Sequence, residues 1–167
     1  MPKTPFARSV ILLVSGLTLL QANPVHLRCE SVEHPLGIDI ARPTLSWQSD
    51  NKERNWIQSA YEILVASRPD LLAPGKADAW DSGKQRSGES TGVRYAGRTL
   101  ESRKRYYWTV RVWDAKDHAS EAAGPAWWEM GLLQRSDWTA KWIRWQNPDE
   151  SADEAGIRWM WVQGCLL

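Results

Sequence analysis

The sequence of 167 residues carries 21 Lys+Arg against 20 Asp+Glu, and twelve Trp against one Phe. That length holds one domain, or one domain and a piece of a second, and excludes a large multidomain enzyme within these residues. A composition 43% apolar and 25% charged excludes a disordered chain, and a net charge of +1 excludes a strongly basic nucleic-acid binder.

Residues 1–22 read as a secretory signal peptide. Lys3 and Arg8 form a positive start, Val10 to Leu20 is apolar, and Gln21-Ala22 offers a small residue for cleavage. Eleven apolar residues fall short of the ~20 that a membrane helix needs. Removal of this segment leaves 19 basic and 20 acidic residues and all twelve Trp. The expected product is secreted or periplasmic, with no membrane attachment after cleavage and no nucleic-acid partner.

Short strand-like runs then recur between turn clusters. The first is Val25 to Val32, closed by Pro35-Leu-Gly37 and Arg42-Pro43. Thr44 to Ser49 places Leu45 and Trp47 on one face. Ser59 to Ser67 alternates with Tyr61, Ile63 and Val65 inward, and Glu62 marks the opposite face as wet. Pro69 to Ala73 is one helical turn. Ala79 to Lys84 and Thr91 to Tyr95 are short strands. Arg105 to Trp113 is the strongest, with Tyr106, Trp108, Val110 and Val112 on one face and Tyr107, Thr109, Arg111 and Trp113 on the other. Ala126 to Met130 ends the series.

Seven strands over 25–131, with no helix long enough to cover a sheet, predict an all-β, immunoglobulin-like sandwich. Leu100 and Tyr106 fit a tyrosine corner, in which the Tyr hydroxyl bonds an upstream backbone group. With Trp47 between the sheets, they favour the fibronectin type III-like variant, which needs no disulfide. Cys29, alternating with Leu27, reads as a buried free thiol. Residues 132–167 read as a linker and the truncated start of a second, partial β-domain, too short to fold alone.

The ordered runs Leu27-Arg-Cys-Glu30, Pro35-Leu-Gly-Ile-Asp39, Arg42-Pro-Thr-Leu-Ser-Trp47, Gln58 to Ser67, Trp80-Asp-Ser-Gly-Lys84, Tyr95-Ala-Gly97, Arg105 to Asp114, Glu129-Met-Gly-Leu-Leu133 and Asp137 to Ile143 resemble the opening of bacterial α-L-rhamnosidases of glycoside hydrolase family 78. The resemblance implies a fibronectin type III-like N-terminal domain. It also implies a jelly-roll-like β-domain, an (α/α)6 barrel with the active site, and a C-terminal β-domain beyond it. The family removes terminal α-L-rhamnosyl groups with inversion, using acids on the barrel. No position here matches its catalytic motifs, so the resemblance assigns no catalytic residue, and the chain alone is expected to be inactive.

The residues themselves agree. Inverting hydrolysis needs two carboxyls about 6.5–9.5 Å apart across a pocket. Asp81, Asp114 and Asp117 instead fall at strand ends and turns, where Asp serves local hydrogen bonds. His26, His34 and His118 are scattered without metal or triad spacing, and no phosphate loop or nucleophile elbow occurs. No cofactor or metal is expected. The tryptophans remain open. Trp113, Trp127, Trp128, Trp138 and Trp142 are candidate contacts for a rhamnose-containing glycan or for later domains of the same polypeptide; Trp127 and Trp128 must point to opposite faces. The expected role is an accessory domain of a secreted α-L-rhamnosidase. The alternative is a stand-alone carbohydrate-binding or protein-interaction module.

Overall fold

The structure, a computed structural model, describes residues 22–51 and 54–140. Seven strands run β1 Pro24–Cys29, β2 Thr44–Ser49, β3 Gln58–Ala66, β4 Trp80–Asp81, β5 Val93–Arg94, β6 Arg105–Asp114 and β7 Ala126–Glu129. They form two antiparallel sheets, ordered β1-β2-β5 and β4-β3-β6-β7. The only helical turns among the described residues are Pro69–Leu71 and Arg135–Asp137. The expected all-β, immunoglobulin-like sandwich is the fold.

Strands β3 and β6 are its spine. Their register pairs Tyr61 with Val112, Ile63 with Val110 and Val65 with Trp108, so one side of the pair is wholly apolar. Across β6, Tyr106 pairs with Trp128 and Trp108 with Ala126. These side chains bury Leu45 and Trp47 from β2, together with Tyr95 and Met130, in one core. Aromatic and β-branched residues suit this pleated, half-buried setting. Leu100 is buried and the Tyr106 hydroxyl accepts the Glu101 N–H at 3.1 Å, the tyrosine corner the sequence predicts. Tyr95 supplies a second anchor. Its buried hydroxyl lies 2.9 Å from the Arg98 carbonyl and 3.1 Å from that of Ala79, to either of which it donates.

Two expectations need correction. The first strand ends at Cys29, not Val32. Glu30 and Ser31 both have positive φ, and Cys29 and Val32 exchange two 3.0 Å backbone hydrogen bonds around them, a type I′ turn. The second concerns the face of β3 carrying Glu62. Ala60, Leu64 and Ala66 on that face are buried, because they lie beside the larger outward side chains of Trp113, Thr109 and Tyr107 on β6.

The antiparallel order separates the two ends of the sandwich. Pro24 pairs with Ser49 and Gln58 with Asp114 at one end. At the other lie the β1–β2 loop, the turn before β6 and the departure from β7. Here Ile38 forms a parallel bridge to Met130. The Ile38 N–H donates to the Glu129 carbonyl at 2.9 Å, the Glu129 N–H to that of Pro35 at 3.0 Å, and the Gly131 N–H to that of Ile38 at 2.7 Å. The loop thus covers the free edge of β7 at its Glu129 end. The approach requires glycine. A Cβ on Gly131 would stand 2.9 Å from the Gly37 carbonyl oxygen, and Gly37 itself has φ +72°.

The first compact unit extends to Asp137, and a second begins at Trp138. The sandwich therefore holds the chain six residues past the expected boundary at 131. The Ser102 hydroxyl donates to the Asp137 carboxylate, the Arg103 guanidinium to the Asp137 carbonyl, and the Leu133 N–H donates to Ser102 Oγ at 2.9 Å. The Ser102 bond, with the Gln134 N–H at 3.0 Å, holds the Asp137 carboxyl below the usual carboxylate range. Of the second unit only residues 138–140 are described, so the expected partial β-domain lies outside the described residues.

Candidate functional site

The outer face of the four-stranded sheet is where the sequence places candidate tryptophans. Along β6, Arg105, Tyr107, Thr109, Arg111 and Trp113 alternate outward because their neighbours fill the core. Trp113 is half-buried, and the Lys84 ammonium, itself paired with Asp117, stands 4.6 Å from its ring centre. Trp127, on β7, is also half-buried. The Arg105 guanidinium sits 4.0 Å from its ring centre, His34 stacks on it at 5.1 Å, and Arg105 is paired with Glu129 at 3.1 Å. A cation of the same domain thus already lies over each outer ring.

Trp128 is a correction. It is fully buried, stacks on Tyr106 at 5.8 Å, meets Tyr95 edge-on at 6.2 Å, and its indole N–H points at the Met130 sulfur at 3.1 Å. One of two adjacent strand residues must face inward, and here it is Trp128, so it cannot contact a glycan or another domain. Trp138 is exposed, in the second unit. Trp142 lies outside the described residues.

The acidic residues singled out in the sequence have local work. Asp81 accepts the N–H of Gly83 at 2.9 Å and of Gly75 at 3.2 Å. Asp114 accepts those of Lys116 at 2.8 Å and His118 at 2.9 Å, and its other oxygen meets the His118 ring at 3.0 Å. Desolvation opposes ionisation of Asp114, but the hydrogen bonds from His118 and Lys116 outweigh it and lower the pKa, which suits a turn-former and not a proton donor. Cys29 is free and buried, and desolvation, aided by the Glu30 carboxylate, pushes its thiol up to about 12. Among the described residues no three His, Cys, Asp or Glu cluster as metal ligands, and no helix is long and apolar enough to cross a membrane.

The outer face of the other sheet is polar. A depression of about 120 Å³ there is lined by His26, Arg28, Ser31, Ser46, Trp47, Gln48 and Thr91. It falls well short of the roughly 300–1,000 Å³ of ordinary ligand clefts.

Sequence reasoning missed the β1–β2 loop. Val32, Leu36 and Ile40 hold their aliphatic side chains 53%, 67% and 46% exposed. The available signal was three large apolar residues at a spacing of four within a stretch of Pro and Gly, where turn chemistry alone would favour polar residues.

Comparison with known proteins gives a consistent answer. Residues 24–134 match the family described as "Rha78A-like, N-terminal immunoglobulin domain". The chain is 47% identical over 133 residues to an alpha-L-rhamnosidase of Streptomyces avermitilis, a match covering 79% of this chain and 13% of that protein. The crystal structure of a Streptomyces avermitilis alpha-L-rhamnosidase complexed with L-rhamnose superposes with a TM-score of 0.68 at 46% identity, over 74% of this chain and 12% of that one. The alpha-L-rhamnosidase from Dictyoglumus thermophilum gives 0.70 at 38% identity, over 74% and 14%. The chain therefore corresponds to a small fraction of the length of the relatives it matches.

Proposed function

Since the chain belongs to the family of Rha78A-like N-terminal immunoglobulin domains, we propose that it is the non-catalytic N-terminal accessory domain of an α-L-rhamnosidase, one that packs against and positions the later parts of that enzyme. The observation that carries this reading is the 47% identity confined to 13% of a curated alpha-L-rhamnosidase. The turn-bound carboxylates support it, since each is committed to backbone N–H groups or a lysine. So do the outer tryptophans, whose rings are engaged by Lys84 and Arg105. The pure chain is expected to release no p-nitrophenol from p-nitrophenyl α-L-rhamnoside, and measurable turnover would overturn the proposal. A saturable change in Trp fluorescence on titration with rhamnose oligosaccharides, lost in Trp113→Ala or Trp127→Ala, would favour the carbohydrate-binding alternative.

Export is part of the same proposal. Lys3, Arg8 and the apolar run Val10 to Leu20 support it. N-terminal sequencing of protein recovered outside the cytoplasm should begin at Asn23, and an intact Met1 there would count against cleavage.

A further inference from the structure

The sandwich begins on an edge strand. Among the described strands β1 pairs with β2 and with no other. Its first residue is Pro24, which has no N–H to give to the ladder. The start of a domain frays at such a place unless something ties it down. The tie lies one residue earlier. The Asn23 N–H donates to Asp50 Oδ1 at 2.7 Å, and the Asp50 N–H donates to the Asn23 carbonyl at 3.0 Å. The two bonds clasp the chain just outside the Pro24–Ser49 pair.

Asn23 is also the residue at which the export reading starts the mature chain, because Ala22 is the small residue before the cut. Hydrolysis of the Ala22–Asn23 peptide bond consumes one water and breaks one C–N bond. It leaves a carboxylate on Ala22 and an ammonium on Asn23. That ammonium arises on the nitrogen that already stands 2.7 Å from a carboxylate. A hydrogen bond with one charged partner becomes an ion pair with two. We propose that Asp50 is the docking site of the processed N-terminus, where the α-ammonium made by cleavage locks the first strand in place. The inference rests on the export reading above and says what the new chain end does. Register makes the match specific. Pro24 is held opposite Ser49, which brings Asn23 to Asp50, and a cut one residue earlier would carry the ammonium about 3.8 Å along the chain. The side chain of Asn23 agrees. Its Oδ1 is buried, and among the described residues no donor meets it. An ammonium adds two N–H groups to that same residue.

The test compares the reactivity of the α-amine. Residues 23–167 are released from a cleavable fusion with Asn23 first, so the pairing is measured independently of where a cell cuts. The chain is treated with N-hydroxysuccinimidyl acetate at pH 7, and acetylation of the N-terminal peptide is followed by mass spectrometry. Only the unprotonated amine reacts, and a neighbouring carboxylate keeps it protonated. Asp50→Asn retains an oxygen acceptor and loses the charge. It should raise the rate roughly threefold or more, a modest factor because Asp50 is exposed. The difference should shrink in molar salt, which screens an exposed pair. Equal rates in the two chains would overturn the proposal. In a chain that starts at Ala22, Asp50→Asn should have no effect, and the same acceleration there would overturn the assignment to Asn23. N-terminal sequencing of the exported 167-residue chain separates the two failures. A start elsewhere, with the rate difference intact, would overturn the export reading and with it the pair as a step of maturation. A start at Asn23 with equal rates would overturn the docking alone.

Discussion

Trp127 and Trp128 adjoin in the chain and lie on opposite faces of one sheet. Inside, Trp128 is packed by Tyr95, Tyr106 and Met130. Outside, Trp127 is held by Arg105 and His34, while Glu129 pairs with the Arg105 charge. The same side chain is thus used by shape on one face and by its π-electrons on the other. Tryptophan count alone cannot separate these uses; strand phase can.

The largest contrast between the faces should appear in thiol chemistry. Burial holds the Cys29 thiol protonated, its pKa pushed up to about 12, so little reactive thiolate is present at pH 8. In a Cys165→Ala background, reaction with a disulfide reagent should be slower by orders of magnitude in the folded chain than in urea. Rapid native reaction would place Cys29 outside the core. The same burial sets a direction with pH. Cys29 rises from 9.0, and the buried Tyr95 from 10.0, each to about 12. Their contribution to stability is fully present below about pH 9 and is lost as pH climbs towards 12, because the unfolded chain gives up these protons first. The urea midpoint should fall over that range, and less so in Cys29→Ala.

Trp128→Ala should cost about 3–5 kcal/mol, the range for removing a buried aromatic. A urea-midpoint change worth under ~1 kcal/mol would remove the distinction drawn between the faces. Gly97→Ala probes the inner face by addition. A Cβ there would meet the Ala79 carbonyl oxygen at 2.4 Å, Trp80 Cβ at 2.5 Å and the Tyr95 hydroxyl at 2.5 Å. Overpacking of this kind costs about 1–3 kcal/mol. Tyr106→Phe removes only the corner hydrogen bond and should cost about 1 kcal/mol. Trp127→Ala should cost least, up to about 1 kcal/mol for an exposed cation–π contact. If it instead equalled Trp128→Ala, the outer face would be a second core.

The strands were legible because alternation is a local signal. Tyr106, Trp108, Val110 and Val112 declare one face of β6 without reference to any partner. The tyrosine corner was legible because Leu100 and Tyr106 are close in the chain. The wetness of the Glu62 face was misread because it depends on Tyr107, Thr109 and Trp113 of β6, which stand beside β3 from distant positions in the chain. The end of β1 was obscured because Glu30 and Ser31 are uncommon in the positive-φ region and carry no Gly or Asn signal. The β1–β2 loop was hidden most deeply. Nothing local to Val32, Leu36 and Ile40 says that the backbone between them is bonded to residues 129–131.

That parallel bridge between Ile38 and Met130 has a consequence for the order of folding. It joins the beginning of the domain to its last strand, so the loop closed by its formation spans nearly the whole sandwich. Contacts of such separation form late. During synthesis, β1 can pair with β2, but Pro35 and Ile38 of the loop between them wait until residues 129–131 have been made. The domain can therefore complete itself only when the chain is ready to begin its neighbour.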